Sequence, residues 1–101
     1  AQPIHFHWSY DVAGSVVRKN VVRNSNQRCI VIHVTDSVLI ENNIAFNTFG
    51  HCFITENGGE INNVFKDNLG SRTRLQWRVL GIGASDDQCS TFWVTSPRNE
   101  L

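Results

Sequence analysis

The chain has 101 residues, 41% of them hydrophobic, and its nine basic residues balance nine acidic residues. This length allows one domain at most, and the balanced charge gives no electrostatic basis for binding nucleic acid. No apolar run reaches the roughly 18 residues of a membrane-spanning helix.

Short apolar segments rich in Val, Ile and Phe run through the chain and end at Asn, Gly or Ser. In chain order, strand-like segments occupy residues 5–8, 17–24, 28–31, 40–47, 51–55, 63–67 and 91–95. Segments this short favour strands over helices. The chain is therefore predicted to be all-β.

Several of these segments repeat at a fixed interval. Residues 17–24 align with residues 40–47 at an offset of 23, and Cys29 then aligns with Cys52. The same offset places His5 over Arg28, and a third copy follows at an offset of 20, with Asn63 under Asn43. A β-sandwich or a chance match in an asparagine-rich chain are the alternatives. Identities at fixed register instead indicate a right-handed parallel β-helix fragment of about four coils.

Asparagine suits the bends between coils because it tolerates left-handed backbone conformations and can form amide ladders along the stack. The alignment predicts two such ladders, one of Asn20, Asn43 and Asn63, and one of Asn24, Asn47 and Asp67.

The repeat is lost near residues 71–89, which are predicted to be an excursion loop; a degenerate full coil is the alternative. The first and last coils would expose unpaired strand edges. We therefore expect residues 1–101 to be a segment of a larger β-helix domain, with the rest of the polypeptide or assembly stacking on both ends.

Alternation along the strands assigns side chains to the two faces. The inward rows are predicted to be Phe6, Cys29 and Cys52, then Trp8, Val31 and Ile54. The outward rows are predicted to be His5, Arg28 and His51, then His7, Ile30 and Phe53, then Ser9, Ile32 and Thr55.

The outward rows suggest a glycan-binding patch of His5, His7, Arg28, His51 and Phe53. Arginine can pair with a carboxylate, imidazoles can donate hydrogen bonds, and a phenyl ring can stack on a sugar. The alternative is that another part of the protein or a partner covers this apolar face.

A further row holds Tyr10, His33 and Glu56, and its His and Glu suggest general acid chemistry on a glycosidic bond. Asp11 is the nearest candidate for the second carboxylate, roughly 10 Å away by the coil spacing. An ordinary hydrogen-bonded polar cluster at a coil corner is the alternative.

No metal site is predicted, because His51 would lie two coils from His5 and His7 and the three imidazoles would not converge. No cofactor is predicted, although calcium bound by carboxylates such as Asp11 and Glu56 stays open. Cys29 and Cys52 are within disulfide range, but two buried free thiols fit equally well, and Cys89 is the odd cysteine.

Four ordered motifs resemble a known family: Pro3 to His7, Gly50 to Gly58, Asn68 to Gly70, and Ser90 to Pro97. They are similar to the parallel β-helix ectodomain shared by the cell-migration-inducing hyaluronan-binding protein, the transmembrane cell-surface hyaluronidase, fibrocystin and fibrocystin-L. The resemblance covers nearly the whole chain except residues 71–89.

The resemblance implies a large secreted or membrane-anchored glycoprotein, located outside the cell or at its surface, or, for the fibrocystins, at a cilium. It implies two roles: a structural or recognition segment that contacts hyaluronan or another acidic glycan, or part of a hyaluronan-depolymerising enzyme. The family usually has Asp where this chain has Asn57, which favours the first role. It often has Cys where Asn68 stands, which would leave Cys89 without a partner.

Overall fold

The computed structural model describes residues 2–75 and 88–101, and this part of the chain contains strands and no helix. The described strands are β1 (Ile4–Asp11), β2 (Val16–Arg18), β3 (Val21–Arg23), β4 (Ile30–Asp36), β5 (Leu39–Glu41), β6 (Ile44–Phe49), β7 (Phe53–Thr55), β8 (Val64–Lys66), β9 (Leu69–Arg74) and β10 (Phe92–Trp93). None of the described residues lies in a helix long and apolar enough to cross a membrane.

The strands form three sheets in which every pairing is parallel. The first sheet has the order β1-β4-β7-β10, the second β2-β5-β8 and the third β3-β6-β9. Each turn of the chain adds one strand to each sheet in sequence, so the architecture is a parallel β-helix fragment. The predicted fold class is confirmed.

The predicted offset of 23 is confirmed for part of the stack and wrong elsewhere. Val17 pairs with Ile40, and Ile30 pairs with Phe53, as the repeat requires. However, Ile4 rather than His7 pairs with Ile30, and Ile40 pairs with Phe65 at an offset of 25 rather than 20. Extra residues at the corners around residues 12–15 and 57–59 lengthen the coils there. The alignment of sequence motifs did not account for these residues and therefore gave offsets that are too short.

An asparagine ladder crosses the corner between the second and third sheets. Asn43 is 1% exposed, and its Oδ1 accepts hydrogen bonds from the Asn20 backbone N–H and Nδ2, both at 3.0 Å. Its Nδ2 donates to Asn68 Oδ1 at 3.0 Å and to the Val17 carbonyl at 2.9 Å. Asn68, not the predicted Asn63, is therefore the third member.

Asn63 belongs to a second ladder, in which its Nδ2 donates to Asn99 Oδ1 at 3.1 Å. The predicted contact between Asn24 and Asn47 is present, with Asn47 Nδ2 donating at 2.9 Å. The register places Arg72 rather than Asp67 beside Asn47.

The predicted inward row of Phe6, Cys29 and Cys52 is confirmed, but the predicted faces of the first sheet are wrong by one residue from Ile30 and Phe53 onward and at Trp8. Ile30, Ile32 and Phe53 are fully buried in the core, whereas Trp8, predicted inside, is 53% exposed. A left-handed bend at Arg28 (φ 57°) precedes β4, so that Cys29 and Ile30 both face the core and alternation restarts at Ile30. Because side chains alternate with a period of two, this shift exchanges the two faces.

The two cysteines on neighbouring coils form a disulfide. Cys29 and Cys52 are joined with their Cα atoms 4.5 Å apart, which decides between the two alternatives that the sequence left open. Cys89 is half-buried and is the free cysteine of the described residues.

The predicted excursion loop begins later than residue 71, because β9 continues to Arg74 in the third sheet. Residues 76–87 lie outside the described residues. The chain then returns to the first sheet as predicted: Phe92 pairs with Phe53, and the two rings stack at 4.9 Å.

We predict that replacing Asn43 by Ala lowers the opening free energy of the surrounding coils by about 3 kcal/mol, because it leaves buried N–H and C=O groups unpaired. Hydrogen exchange of the intact protein, followed over peptides covering residues 16–45, measures this. Val21→Ala is the control, since Val21 is 68% exposed on β3 and its truncation should cost less than about 1 kcal/mol. Equal effects of the two substitutions would contradict the ladder's buried role.

Candidate functional site

A group of polar and aromatic side chains lies on the outer face of the first sheet. His5 and His7 alternate on β1 and therefore point to the same side. The register pairs His7 with His33 on β4 and thus brings a third imidazole to them. We call His5, His7 and His33 the histidine cluster.

The histidine cluster continues into a carboxylate and a guanidinium on the adjacent coil. His7 Nδ1 lies 3.0 Å from His33 Nδ1, and His33 Nδ1 lies 3.5 Å from Glu56 Oε2. Glu56 Oε1 in turn lies 3.0 Å from Arg28 Nη1, and the Arg28 side chain is 8% exposed. Both Glu56 oxygens therefore have partners.

Two exposed aromatic rings border the histidine cluster. Trp8 is 53% and Tyr10 is 61% exposed, and their centroids lie 6.4 Å apart in an edge-to-face arrangement. The Trp8 ring also contacts His33 at 6.2 Å. Exposed aromatic rings beside hydrogen-bonding imidazoles are suited to hold a sugar, with the ring against its apolar face.

A local irregularity in β1 directs these rings outward. The register shifts between His7 and Tyr10, and both Trp8 (φ 51°) and Tyr10 (φ 57°) have left-handed backbone conformations. Val34 (φ 48°) repeats the bend on the next coil, although a β-branched residue rarely adopts it. Sequence reasoning placed Tyr10 in one row with His33 and Glu56 but did not assign it to the glycan-binding patch. It missed Trp8, because a strictly alternating β1 would place Trp8 inside; the run of His, Trp and Tyr was the available signal.

The environment of His5 favours its neutral form. Partial burial lowers the pKa of His5 below its usual value of 6.5 and outweighs the nearby Glu56 carboxylate, which raises the pKa. His7, His33 and Arg28 lower the pKa further by electrostatic repulsion of the imidazolium. The neutral ring retains an unprotonated nitrogen that can accept a hydrogen bond or bind a metal.

Two residues of the predicted glycan-binding patch face the interior or are covered. The outward placement of Phe53 is wrong, since its ring is fully buried in the core. His51 is also 0% exposed; its ring stacks on Trp93 at 4.5 Å, and its Nδ1 accepts a hydrogen bond from the Ser90 N–H. The corrected register and the return of β10 over β7 explain both.

Of the three predicted catalytic residues, the structure brings His33 and Glu56 together. Asp11 instead pairs with Asp36 across β1 and β4, and its Oδ1 accepts a hydrogen bond from the Ala13 N–H. None of the described contacts of Glu56 involves Asp11.

A second glutamate, which sequence reasoning did not single out, anchors the turn after Glu56. Glu60 is 1% exposed, and its carboxylate accepts hydrogen bonds from the backbone N–H groups of Asn57, Gly58 and Val34 at 2.9 to 3.1 Å. Burial by itself would raise the pKa of Glu60, but these hydrogen bonds outweigh it and lower the pKa below 4.5. The ionised carboxylate thus holds the turn to the next coil.

A groove of about 240 Å³ lies beside this turn, with Glu60 and Tyr10 in its wall. The groove is lined by Tyr10, Val34, Asp36, Asn57, Gly59 and Glu60. It therefore adjoins the exposed aromatic pair, and the two features form one continuous surface at the end of β1.

These observations define the class of protein: a parallel β-helix whose first sheet carries a surface of imidazole and aromatic side chains. The family model described as CEMIP beta-helix matches residues 1–101, and the chain belongs to this family. The predicted resemblance is confirmed for the hyaluronan-related members; its fibrocystin part stays a prediction.

Among curated relatives, the chain is 32% identical to the human cell surface hyaluronidase CEMIP2 over an alignment 127 positions long, covering 98% of this chain and 9% of that protein. It is 30% identical to the mouse cell migration-inducing and hyaluronan-binding protein, with the same coverage. It is 38% identical over 69 residues to communication mutant protein F of Dictyostelium discoideum, covering 68% of this chain and 6% of that protein. The chain thus spans less than a tenth of these relatives. No solved structure matches the chain.

We predict that Glu60→Gln lowers the opening free energy of residues 57–63 at pH 7 by about 2 kcal/mol, since charge-assisted hydrogen bonds to backbone N–H groups are lost. Because folding lowers the pKa of Glu60, its contribution is present above pH 4.5 and disappears as the pH falls through the folded-state pKa. The difference between the variant and the wild type should therefore shrink in acid.

Hydrogen exchange or limited proteolysis of the intact protein between pH 7 and pH 3 measures this difference. Glu100→Gln, at an exposed carboxylate, is the control and should leave the region unchanged. A difference that stays constant across this pH range would contradict the role given to Glu60.

Proposed function

We propose that this chain is a structural and recognition segment of a large extracellular β-helix protein at the cell surface, and that it contacts an acidic polysaccharide of the hyaluronan class. This proposal rests mainly on the exposed surface that Trp8, Tyr10, His5 and His7 form on the first sheet. The names of its relatives, which include a hyaluronan-binding protein and a cell surface hyaluronidase, support the choice of ligand and location.

The contact would differ from the patch expected from the sequence alone. His5 and His7 stay in it as hydrogen-bond donors to hydroxyl and carboxylate oxygens, and Trp8 and Tyr10 supply the apolar area that Phe53 cannot offer. Arg28 is 6% exposed and already pairs with Glu56, so its role is to set the charge of the surface and to position Glu56.

The structural role follows from the open ends of the stack. Strands β1, β2 and β3 form one edge, and β9, β10 and residues 98–100, which pair with β8, form the other. Their outer backbone groups can pair with further parallel strands. We propose that neighbouring coils of the same polypeptide or assembly cover both edges, which extends the glycan-contacting face along the axis.

We predict that Trp8→Ala and Tyr10→Ala each weaken binding of the intact protein to immobilised hyaluronan by about tenfold, because the truncation of an anchoring aromatic costs about 1–2 kcal/mol. Surface plasmon resonance measures the affinity. Leu69→Ala is the matched control, since Leu69 is 60% exposed but lies on β9 in the third sheet. Unchanged affinity in both aromatic variants would rule out this surface as the contact.

A second function, hyaluronan depolymerisation, is favoured by the contact between His33 and Glu56 next to the aromatic surface. Two observations limit it. Hydrolysis of a glycosidic bond generally uses two carboxylates, and Asp11 does not pair with Glu56. Both Glu56 oxygens are also engaged, whereas a general acid must present its proton to the glycosidic oxygen.

If Glu56 acts as a general acid, Glu56→Gln in the intact protein should slow the shortening of hyaluronan chains by about 10²- to 10⁴-fold. Size-exclusion chromatography of the polymer measures the rate. Glu41→Gln is the matched control, because Glu41 also pairs with an arginine, Arg18, but on the second sheet. No shortening by the wild type would contradict the enzymatic function, and an equal rate in Glu56→Gln would contradict the role of Glu56 as its general acid.

A further inference from the structure

We propose that His5, His7 and His33 bind one zinc ion, or a similar divalent transition-metal ion, and that Glu56 supplies the fourth ligand through Oε2. Among residues 2–75 and 88–101, these histidines are the one group of three or more His, Cys, Asp or Glu side chains that could hold a metal. Their candidate ligand atoms all lie within 4.8 Å of one another.

The distances suit a tetrahedral centre. Zinc bonds of about 2.0–2.1 Å place neighbouring ligand atoms roughly 3.4 Å apart. His7 Nδ1 and His33 Nδ1 are 3.0 Å apart, and His33 Nδ1 and Glu56 Oε2 are 3.5 Å apart. His5 and His7 are exposed side chains at the surface, so rotation of their rings can close the remaining gap and an ion can enter directly from solvent.

The register explains why the sequence argued against a metal. With an offset of 23, His5 would align with Arg28 and His51, and His51 would lie two coils away. In the structure β1 is displaced by three residues, so that His7 pairs with His33 on the adjacent coil. Three imidazoles then converge from two neighbouring strands, a spacing of one coil rather than two.

The surroundings support a ligand role for these side chains. Arg28 holds Glu56 Oε1 at 3.0 Å and so directs Oε2 toward His33, in the manner of the outer groups that orient metal ligands. Three nitrogens and one carboxylate oxygen suit zinc, whereas calcium prefers an all-oxygen set.

The test is zinc titration of the intact protein after removal of metals with a chelator, followed by calorimetry. We expect one zinc ion to be bound at this site and His33→Gln and His7→Gln each to weaken its affinity at least tenfold. Cobalt(II) in place of zinc should give the intense visible absorption of a four-coordinate centre, and Glu56→Gln should reduce that intensity or weaken the affinity.

His51→Asn is the matched control, because it removes the fourth histidine of the chain but lies outside the histidine cluster. Its zinc affinity should equal that of the wild type. Hydrogen exchange of each variant shows whether the coils stay closed. If His33→Gln opens the coils, His7→Gln still tests the metal site, because His7 is exposed and its replacement should not disturb the fold. Absence of zinc binding, or unchanged affinity in His7→Gln with closed coils, would overturn the proposal.

Discussion

The in-register stacking of parallel coils is the constraint on which this structure depends. Half of the described strands are only three residues long, so a single coil cannot satisfy its own backbone groups or bury its apolar side chains. Each coil obtains both from its neighbours, and the ladder of Asn20, Asn43 and Asn68 carries the hydrogen bonding through a corner where the strands are interrupted. The disulfide between Cys29 and Cys52 joins two of the same coils covalently at another corner.

The candidate site lies where the stack departs from its own repeat. The displacement of β1 relative to β4 aligns His7 with His33, and the left-handed residues Trp8 and Val34 lie where the register of this pairing shifts. A uniform repeat would bury Trp8 and separate the imidazoles. Residues in sparsely populated backbone conformations often occur at functional sites, because the surrounding structure must compensate for the strain. Here the neighbouring coils and the Glu60 carboxylate, which binds the Val34 N–H, provide that support.

Two glutamates four residues apart show how one turn serves both structure and surface chemistry. Glu60 is buried and engaged by backbone N–H groups, so its charge stabilises the turn. Glu56 lies on the outer face between Arg28 and His33, so its charge belongs to the site. A metal at the histidine cluster and a glycan on the adjacent aromatic rings would use neighbouring parts of this surface, and the same β1 strand would position both.

The sequence by itself determined the strand content, the stacking of parallel coils, the offset of 23 over residues 16–55 and the family. The reason is that residues repeated at a fixed spacing can be recognised without knowing the conformation of the corners between strands. The repeat in the sequence also placed His33 and Glu56 in one row. Only the tertiary structure decided the register of β1, the place of Asn68 in the ladder, the burial of Phe53 and His51, and the exposure of Trp8 and Tyr10. The reason is that a corner of two or three extra residues, or one left-handed residue such as Arg28, resets the alternation of every side chain that follows.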